Sequence, residues 1–273
     1  MNEELNLTNN YHLSRNNNSN DLEGIAVTEE KNSEFESTST DFEQNLNDAV
    51  EVAPKVIGIK PNVKRAEIAQ ILIWTVLGIE VVEIGSSFLQ IVLLNAVQNG
   101  EEVTETMIAS NDLRVQLVAI TYTMLFVISI FTFIQWFRRA YYNLNLRTNC
   151  VYGEGWAAGG WFIPFMNLVR PYRIMTELDT KTSNLINVKS TNTVENNTFL
   201  IGLWWTLWII GNFASKILTR RNADSDTIEG LLESTKIDMG LAAFFIPLSI
   251  VTVLMIKSYA KKEEMLCELE ISR

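Results

Sequence analysis

Four long apolar runs constrain this chain more than any other feature of its sequence. They cover about residues 68–97, 115–137, 199–218 and 237–256. A helix needs about 20 mostly apolar residues to cross a hydrocarbon core of about 30 Å. Only helices and closed barrels satisfy their backbone polar groups in lipid, and the short alternating segments typical of a barrel are absent. The sequence therefore predicts an all-α membrane protein with a bundle of four transmembrane helices.

The acidic residues of the chain are concentrated near its amino terminus. Residues 1–54 contain 12 Asp and Glu but only Arg15 and Lys31, so they carry the whole formal net charge of −10. Such a segment buries too little apolar surface to offset chain entropy, and we expect a disordered acidic tail. Its simplest role is a spacer, and binding of a specific ligand is the alternative. It lacks the apolar stretch of a cleaved signal peptide. We assign residues 55–262 to a helical membrane domain and 263–273 to a cytoplasmic carboxyl-terminal tail.

Residues 156–169, WAAGGWFIPFMNLV, form a fifth apolar segment that is too short to cross a membrane. As a helix it would rise only about 21 Å. Pro164 also removes a backbone donor and would kink or break a helix at that point. We predict a short re-entrant or interfacial helix, and a fifth crossing stays open as the alternative.

The distribution of Lys and Arg separates these two alternatives. If the segment enters and leaves on one face, 14 basic residues lie on the cytoplasmic side and 5 on the far side. If the segment crosses, the count becomes 11 against 8. Because cytoplasmic loops are enriched in basic residues, the re-entrant alternative is favoured, with both termini on the cytoplasmic side of the cell membrane. The cluster of Lys216, Arg220 and Arg221 is the main exception.

Aromatic motifs follow one another through the middle of the chain. Residues 135–144 read QWFRRAYYNL, residues 155–168 read GWAAGGWFIPFMNL, residues 170–172 read RPY, and tryptophans stand at 204, 205 and 208. Over roughly residues 65–260 this series resembles the bacterial membrane proteins of the domain of unknown function 4328 family. The resemblance implies a multi-span bacterial membrane protein with no established activity.

The first of these motifs ends the second predicted span with charged and aromatic side chains. Trp136, Tyr141 and Tyr142 are typical of an aromatic belt at a membrane interface. Gly155 and Gly159 form a small-xxx-small face that would let another helix approach closely. Basic side chains at this end are candidates for contact with lipid phosphate headgroups. These candidates are Arg138, Arg139, Arg170 and Arg173.

The central motif contains a candidate pocket. A helix that is broken inside a bundle frees backbone carbonyl and amide groups, and such groups commonly line a cavity. We take Trp161, Pro164 and Asn167 as the candidate broken-helix site. Simple packing is the alternative interpretation of the same residues.

The first apolar run contains two acids, Glu80 and Glu83, one helical turn apart and on one face. Charged residues inside a span are costly and should face the bundle interior or an interface. If the first span starts at Arg65, Glu83 lies about 27 Å deep at 1.5 Å per residue, which is close to the depth of about 26 Å for Lys216 counted from Phe199. We therefore predict that Lys216 pairs with Glu83 or Glu80. Such a pair either stabilises the bundle or takes part in ion or proton movement.

Residue types that common enzyme mechanisms need are missing. The only histidine is His12, in the tail, so Ser-His-Asp and Cys-His mechanisms and histidine-based zinc sites have no candidates. Cys150 and Cys267 are too few for a disulfide framework, and no phosphate-binding loop motif is present. We expect no catalytic residue, no metal, no cofactor and no enzyme. The chain also lacks the basic stripe that a nucleic-acid partner would require.

Two classes of function remain. The first is a non-enzymatic multi-pass scaffold or sensor that acts through contacts with membrane lipids or other proteins. The second is a small transporter or channel that uses the intramembrane acids and the broken helix, and it would require a second copy of the chain to form a pore. A water-accessible cavity connecting Glu83 to Pro164 or Asn167 would favour the transporter. Dry packing around both acids would exclude it.

Overall fold

The computed structural model describes residues 58–191, 193–221 and 227–272. The predicted acidic tail lies outside these residues. Within them the chain is all α-helical, as predicted, and it has no strand. Four of the helices are long and apolar enough to cross a membrane.

Six α-helices and one 3₁₀ turn make up the described part of the chain. In chain order they are α1 (Val63–Gln98), α2 (Glu105–Arg147), α3 (Trp156–Gly159), the 3₁₀ turn Met166–Leu168, α4 (Arg170–Lys189), α5 (Thr198–Arg221) and α6 (Ile228–Ile271). The four predicted spans lie inside α1, α2, α5 and α6. Helices α2 and α6 extend well beyond their apolar runs, by several turns in total.

The starts of α2 and α6 are set by threonine caps. Thr104 Oγ1 accepts a hydrogen bond from the Met107 amide at 3.3 Å, and Thr227 Oγ1 accepts one from the Gly230 amide at 3.0 Å. Each bond satisfies an N–H group that the first turn of a helix leaves free. These two polar positions therefore fix where each long helix begins.

Helix α6 packs against three other helices, α1, α4 and α5. Helix α1 also packs on α2, and α4 also lies against α2 and α5. Helix α5 has little backbone contact with α1 or α2. The long helices therefore leave space between α5 and the α1–α2 pair.

The best-packed part of the core lies where the end of α2 meets α4 and the second half of α6. Trp136, Tyr141, Ile174, Leu178 and Tyr259 are almost completely buried there. The outward faces of α1 and α2 instead carry many large exposed apolar side chains. That arrangement is expected of helices surrounded by lipid, because lipid tails are as apolar as leucine.

Two elements of this region differ from the predicted layout. Helix α4 is an unpredicted amphipathic helix, and its buried residues, Ile174 and Leu178 among them, follow a helical period. Residues 263–273, predicted as a tail, continue α6 to Ile271, and Leu266 is buried. Neither element has an apolar run long enough to predict a span. Their few apolar residues pack against other parts of the protein rather than against lipid.

Candidate functional site

The segment 156–169 is broken, and it is helical only in two short pieces, α3 and the 3₁₀ turn. The residues between them form turns. Phe165 has a φ of 64°, a left-handed conformation that is uncommon for a residue other than glycine. It directly follows Pro164, which has no N–H to donate. The predicted break at Pro164 is confirmed.

The two ends of the segment lie side by side. The Arg170 guanidinium carbon is 3.5 Å from the centroid of the Trp156 ring and 5.1 Å from that of Tyr152. The chain therefore enters and leaves the segment at the same end of the bundle. This geometry agrees with the re-entrant alternative and not with a fifth crossing.

One glycine makes this close return possible. A Cβ added at Gly160 would lie 2.8 Å from the Trp156 carbonyl oxygen and 3.3 Å from Arg170 Cβ. By contrast, a Cβ at Gly155 or Gly159 would meet no atom within 4 Å. The predicted small-xxx-small face is therefore wrong, and the close approach occurs at Gly160.

The Trp161 side chain packs the broken segment against α2 and α5. Its ring centroid lies between 5.6 and 6.3 Å from the centroids of five rings on α2 and α5. These rings belong to Phe133, Phe137, Trp204, Trp205 and Trp208. We call this set with Trp161 the aromatic layer. The buried indole N–H of Trp161 has no hydrogen-bond partner in the described part of the chain.

A cavity of about 680 Å³ lies between all four long helices and the broken segment. We call it the main cavity. The segment contributes Trp161, Phe162 and Asn167 to its lining, and the wall is mostly aromatic and aliphatic. Polar groups interrupt that wall on each long helix. They belong to Glu80, Tyr122, Ser129, Asn212, Ser215, Lys216, Ser249 and Thr252.

A second cavity of about 300 Å³, which we call the small cavity, lies between the broken segment and α5. It is lined by Pro164 and Phe165 on the segment side. Asn167, Asn212 and Lys216 line both cavities. The tip of the segment thus lies between two spaces and next to the last turns of α5.

Glu80 and Lys216 line the same cavity without joining each other. Glu80 is 3% exposed and accepts a hydrogen bond from Ser249 Oγ at 3.4 Å. Glu83 is half-buried and does not line the main cavity. No ion pair within 4.0 Å includes Lys216 among the residues that the structure describes. The predicted ion pair is not formed, because α5 has little backbone contact with α1.

The predicted headgroup arginines have different surroundings. Arg170 stacks on aromatic rings, and Arg138 lies 3.8 Å from Glu154 in an exposed ion pair. Arg173 is exposed and Arg139 is half-buried. Arg138 and Arg173 therefore remain the most accessible of the four for contact with a headgroup.

Trp136 and Tyr141 differ from the predicted aromatic belt. Both side chains are fully buried in the core, whereas Tyr142 is half-buried beside the Lys60 ammonium, 4.5 Å from its ring centroid. Helix α4 and the end of α6 cover the first two rings, which therefore pack in the core instead of forming an exposed belt.

A network of buried polar side chains lies away from the cavities, around the end of α2, α4 and residues 253–271 of α6. We call this region the polar end. Lys262 Nζ donates to Asp179 Oδ1 at 2.6 Å, to Ser183 Oγ at 3.0 Å and to the Glu195 carbonyl at 2.8 Å. The Lys262 and Asp179 side chains are only 8% and 2% exposed.

Two more carboxylates of α6 are paired at the polar end. Glu263 accepts hydrogen bonds from Asn62 Nδ2 at 2.9 Å and Asn143 Nδ2 at 2.7 Å. Arg147 forms an ion pair with Glu270 at 3.0 Å. Sequence reasoning missed these residues. The available signal was the helical period of residues 170–189, which places Asp179 on the apolar face of an amphipathic helix.

Electrostatics at the polar end act on one acid and one thiol outside the predicted spans. Burial raises the pKa of the Glu177 carboxyl, but hydrogen bonds from Lys181, Tyr141 and the Val151 amide outweigh burial and leave this pKa below its ordinary value. Burial, with a contribution from Glu177, raises the pKa of the Cys150 thiol to about 11. The thiol is therefore protonated at neutral pH and is a weak nucleophile.

Comparison with known proteins gives one family match. The family model described as "Domain of unknown function (DUF4328)" matches residues 99–261, more than half of the chain. No curated protein and no solved structure matches the chain. The matched region contains the broken segment, the aromatic layer and Lys216. Helix α1, with Glu80 and Glu83, lies before it, although the resemblance predicted from the motifs begins near residue 65.

Proposed function

This chain belongs to the domain of unknown function 4328 family, whose description names no activity, and we propose its function from the space between its helices. We propose that it is a non-enzymatic, multi-pass membrane protein that senses or holds membrane amphiphiles by binding them in the main cavity. Both termini lie in the cytoplasm in this proposal, and membrane lipids are the principal partners. A second copy or another membrane protein would receive the signal.

The main cavity is the observation that carries this proposal. Its volume of about 680 Å³ falls within the range of about 300–1,000 Å³ that small-molecule sites occupy. Such sites combine a mostly apolar wall with a few polar groups that orient the ligand. The aromatic layer supplies much of the apolar wall, and Glu80, Asn167 and Lys216 are among the polar groups that would orient the ligand.

The gap beside α5 supports an amphiphile as the ligand rather than a water-soluble molecule. Helix α5 packs on α6 and α4 but has little backbone contact with α1 or α2. In a membrane this gap would face lipid, so an acyl chain has a sideways route between the helices. The aromatic layer lies at one end of that route and would contact the chain.

Fluorescence quenching by brominated acyl chains tests the proposal, because Trp161, Trp204 and Trp208 line the main cavity. We would reconstitute the full chain in vesicles of brominated lipid and compare two phenylalanine variants. Thr252→Phe fills the cavity, whereas Thr123→Phe lies on an exposed helix face. Both threonine hydroxyls donate to a carbonyl four residues earlier in their own helix, at 2.7 and 2.8 Å, so the controls are matched.

We expect Thr252→Phe to reduce the quenching and Thr123→Phe to leave it unchanged. Equal quenching in the wild type and in both variants would show that no chain enters the cavity. That result would overturn the proposal.

Transport is a second candidate function, and one observation favours it. The main cavity connects the buried Glu80 to Trp161 and Asn167 on the broken segment, although the sequence pointed to Glu83 for this connection. Ion or proton flux into vesicles containing the wild type should fall in Glu80→Gln and change less in Glu83→Gln, since Glu83 does not line the cavity. If the flux into these vesicles equals the flux into empty vesicles, transport is excluded as a function.

The proposed threading is tested by labelling single cysteines in a cysteine-free background. Asn145→Cys and Thr180→Cys flank the broken segment, and the re-entrant arrangement requires both to label from the cytoplasmic side. Labelling of the two positions from opposite sides would contradict that arrangement.

A further inference from the structure

The tip of the broken segment has backbone donors without partners. The Trp161, Phe162 and Asn167 amides donate to carbonyl groups of the segment. The amides of Ile163, Phe165 and Met166 have no such bond within the part of the chain described, and Pro164 has no N–H. The turn at the tip therefore leaves these three N–H groups without a protein acceptor, and of the three residues only Phe165 lines the small cavity.

Phe165 shares the small cavity with two residues of the proposed α5 span. Asn212 and Lys216 line the small cavity together with the tip. They lie about 21 and 27 Å along α5 from its first residue, at 1.5 Å per residue. Both positions lie inside the proposed span, where lipid offers no acceptor to an unpaired backbone N–H group. Irregular backbone persists there only where protein or a filled cavity satisfies it.

Two side chains add hydrogen-bond donors at the same place. The Lys216 ammonium and the Asn167 carboxamide line both cavities, and neither has a hydrogen bond or ion pair among the described residues. The neighbouring Asn212 Nδ2 donates to the Trp208 carbonyl at 2.8 Å. No Asp or Glu lines the small cavity. The site is thus rich in donors and positively charged.

We propose that the small cavity binds the anionic headgroup, a phosphate or carboxylate, of an amphiphile whose apolar chain occupies the main cavity. This inference rests on the proposed function and identifies the class of ligand. Lys216 supplies the charge, and Asn167 with the Phe165 amide supplies directed hydrogen bonds to the headgroup. The two cavities share Asn167 and Lys216, so one molecule with a head and a chain can fill both.

A comparison of brominated phosphatidylglycerol with brominated phosphatidylcholine tests the headgroup, with the full chain in mixed vesicles and tryptophan quenching as the signal. We expect the wild type to prefer the anionic lipid. Lys216→Gln should weaken that preference about tenfold, because a charge-assisted bond is lost. Lys216→Arg should restore it. Lys236→Gln, which removes an exposed lysine of α6, is the matched control and should behave as the wild type.

The outcomes separate this inference from the proposed function. Equal quenching by the two lipids, with Thr252→Phe still reducing it, would overturn the anionic headgroup and leave the cavity as an amphiphile site. Loss of the Thr252→Phe effect would overturn both. Inorganic phosphate that binds as tightly as the lipid, measured by calorimetry with the same protein, would overturn the need for an acyl chain. If Lys216→Gln and Lys236→Gln weaken the preference for the anionic lipid equally, general surface charge explains that preference, and the headgroup site is overturned.

Discussion

Charged side chains are paired at the polar end and largely unpaired beside the main cavity. At the polar end Lys262, Asp179 and Glu263 each have protein partners within 3.0 Å. Beside the main cavity Lys216 has no such partner in the described chain, and Glu80 has one long hydrogen bond of 3.4 Å from Ser249. A satisfied buried network holds elements in fixed positions. Charges beside empty volume instead remain available to a ligand, so we assign fold maintenance to one region and binding to the other.

Removal of the buried lysine should have the largest effect and tests this contrast most directly. Lys262→Met leaves Asp179 buried without its ammonium partner, and we expect a loss of about 3–5 kcal/mol in the free energy of unfolding. Lys216→Met at the cavity should change it by less than about 0.5 kcal/mol. Unfolding in mixed detergent micelles measures both. Similar losses in the two variants would remove the distinction between the regions.

Gly160→Ala should have the next largest effect, because it strains the junction between the broken segment and α4. Its Cβ would lie 2.8 Å from a backbone oxygen that cannot rotate away. We expect a loss of about 1–3 kcal/mol in the free energy of unfolding and a changed environment for Trp161. Gly159→Ala, with open space around its Cβ, should be neutral or stabilising by up to about 1 kcal/mol. A neutral Gly160→Ala would show that the segment is not held tightly at its ends.

The same contrast explains which features the sequence could predict. The four spans follow from length and apolarity alone, and the break follows from Pro164, so both needed only local information. The pairing of Lys216 with Glu83 failed because equal depth fixes only one coordinate. An ion pair also needs the two helices to be neighbours and the two side chains to face each other, and α5 has little backbone contact with α1.

The polar end was only partly predictable, for a different reason. The helical period of residues 170–189 places Asp179 on a buried face, but Lys262 and Asp179 are 83 positions apart, and no local pattern joins the two. Their pairing depends on α4 folding back against α6, which no local pattern specifies. The main cavity was also only partly predictable. The sequence indicates that Asn167 belongs to the broken segment, but whether Asn167 and Glu80 line one cavity depends on how the four long helices pack.

A smaller effect is expected from Tyr141→Phe, which tests whether Glu177 belongs to the satisfied network. Tyr141 Oη donates to Glu177 Oε2 at 2.7 Å, and loss of this bond should cost about 1 kcal/mol at neutral pH. Because the pKa of Glu177 is lowered by folding, its stabilisation is present above its ordinary pKa of 4.5 and is lost as the pH falls through the lowered value. The cost of Tyr141→Phe should therefore shrink below pH 4.5. Tyr142→Phe, one position along, should show no such dependence on pH.

The smallest change concerns the reactivity of Cys150, and it shows how closed the polar end is. With a pKa raised to about 11 by burial, Cys150 is about one part in a thousand thiolate at pH 8. Its neighbour Val151 is exposed, so the thiol of Val151→Cys should have an ordinary pKa near 8.5. We expect peptide-resolved alkylation of Cys150 to be at least about a hundredfold slower than that of position 151, and to speed up about tenfold per pH unit up to pH 10. Equal rates at pH 8 would mean that water reaches the polar end freely, and the contrast with the main cavity would then rest on Lys262 and Asp179 alone.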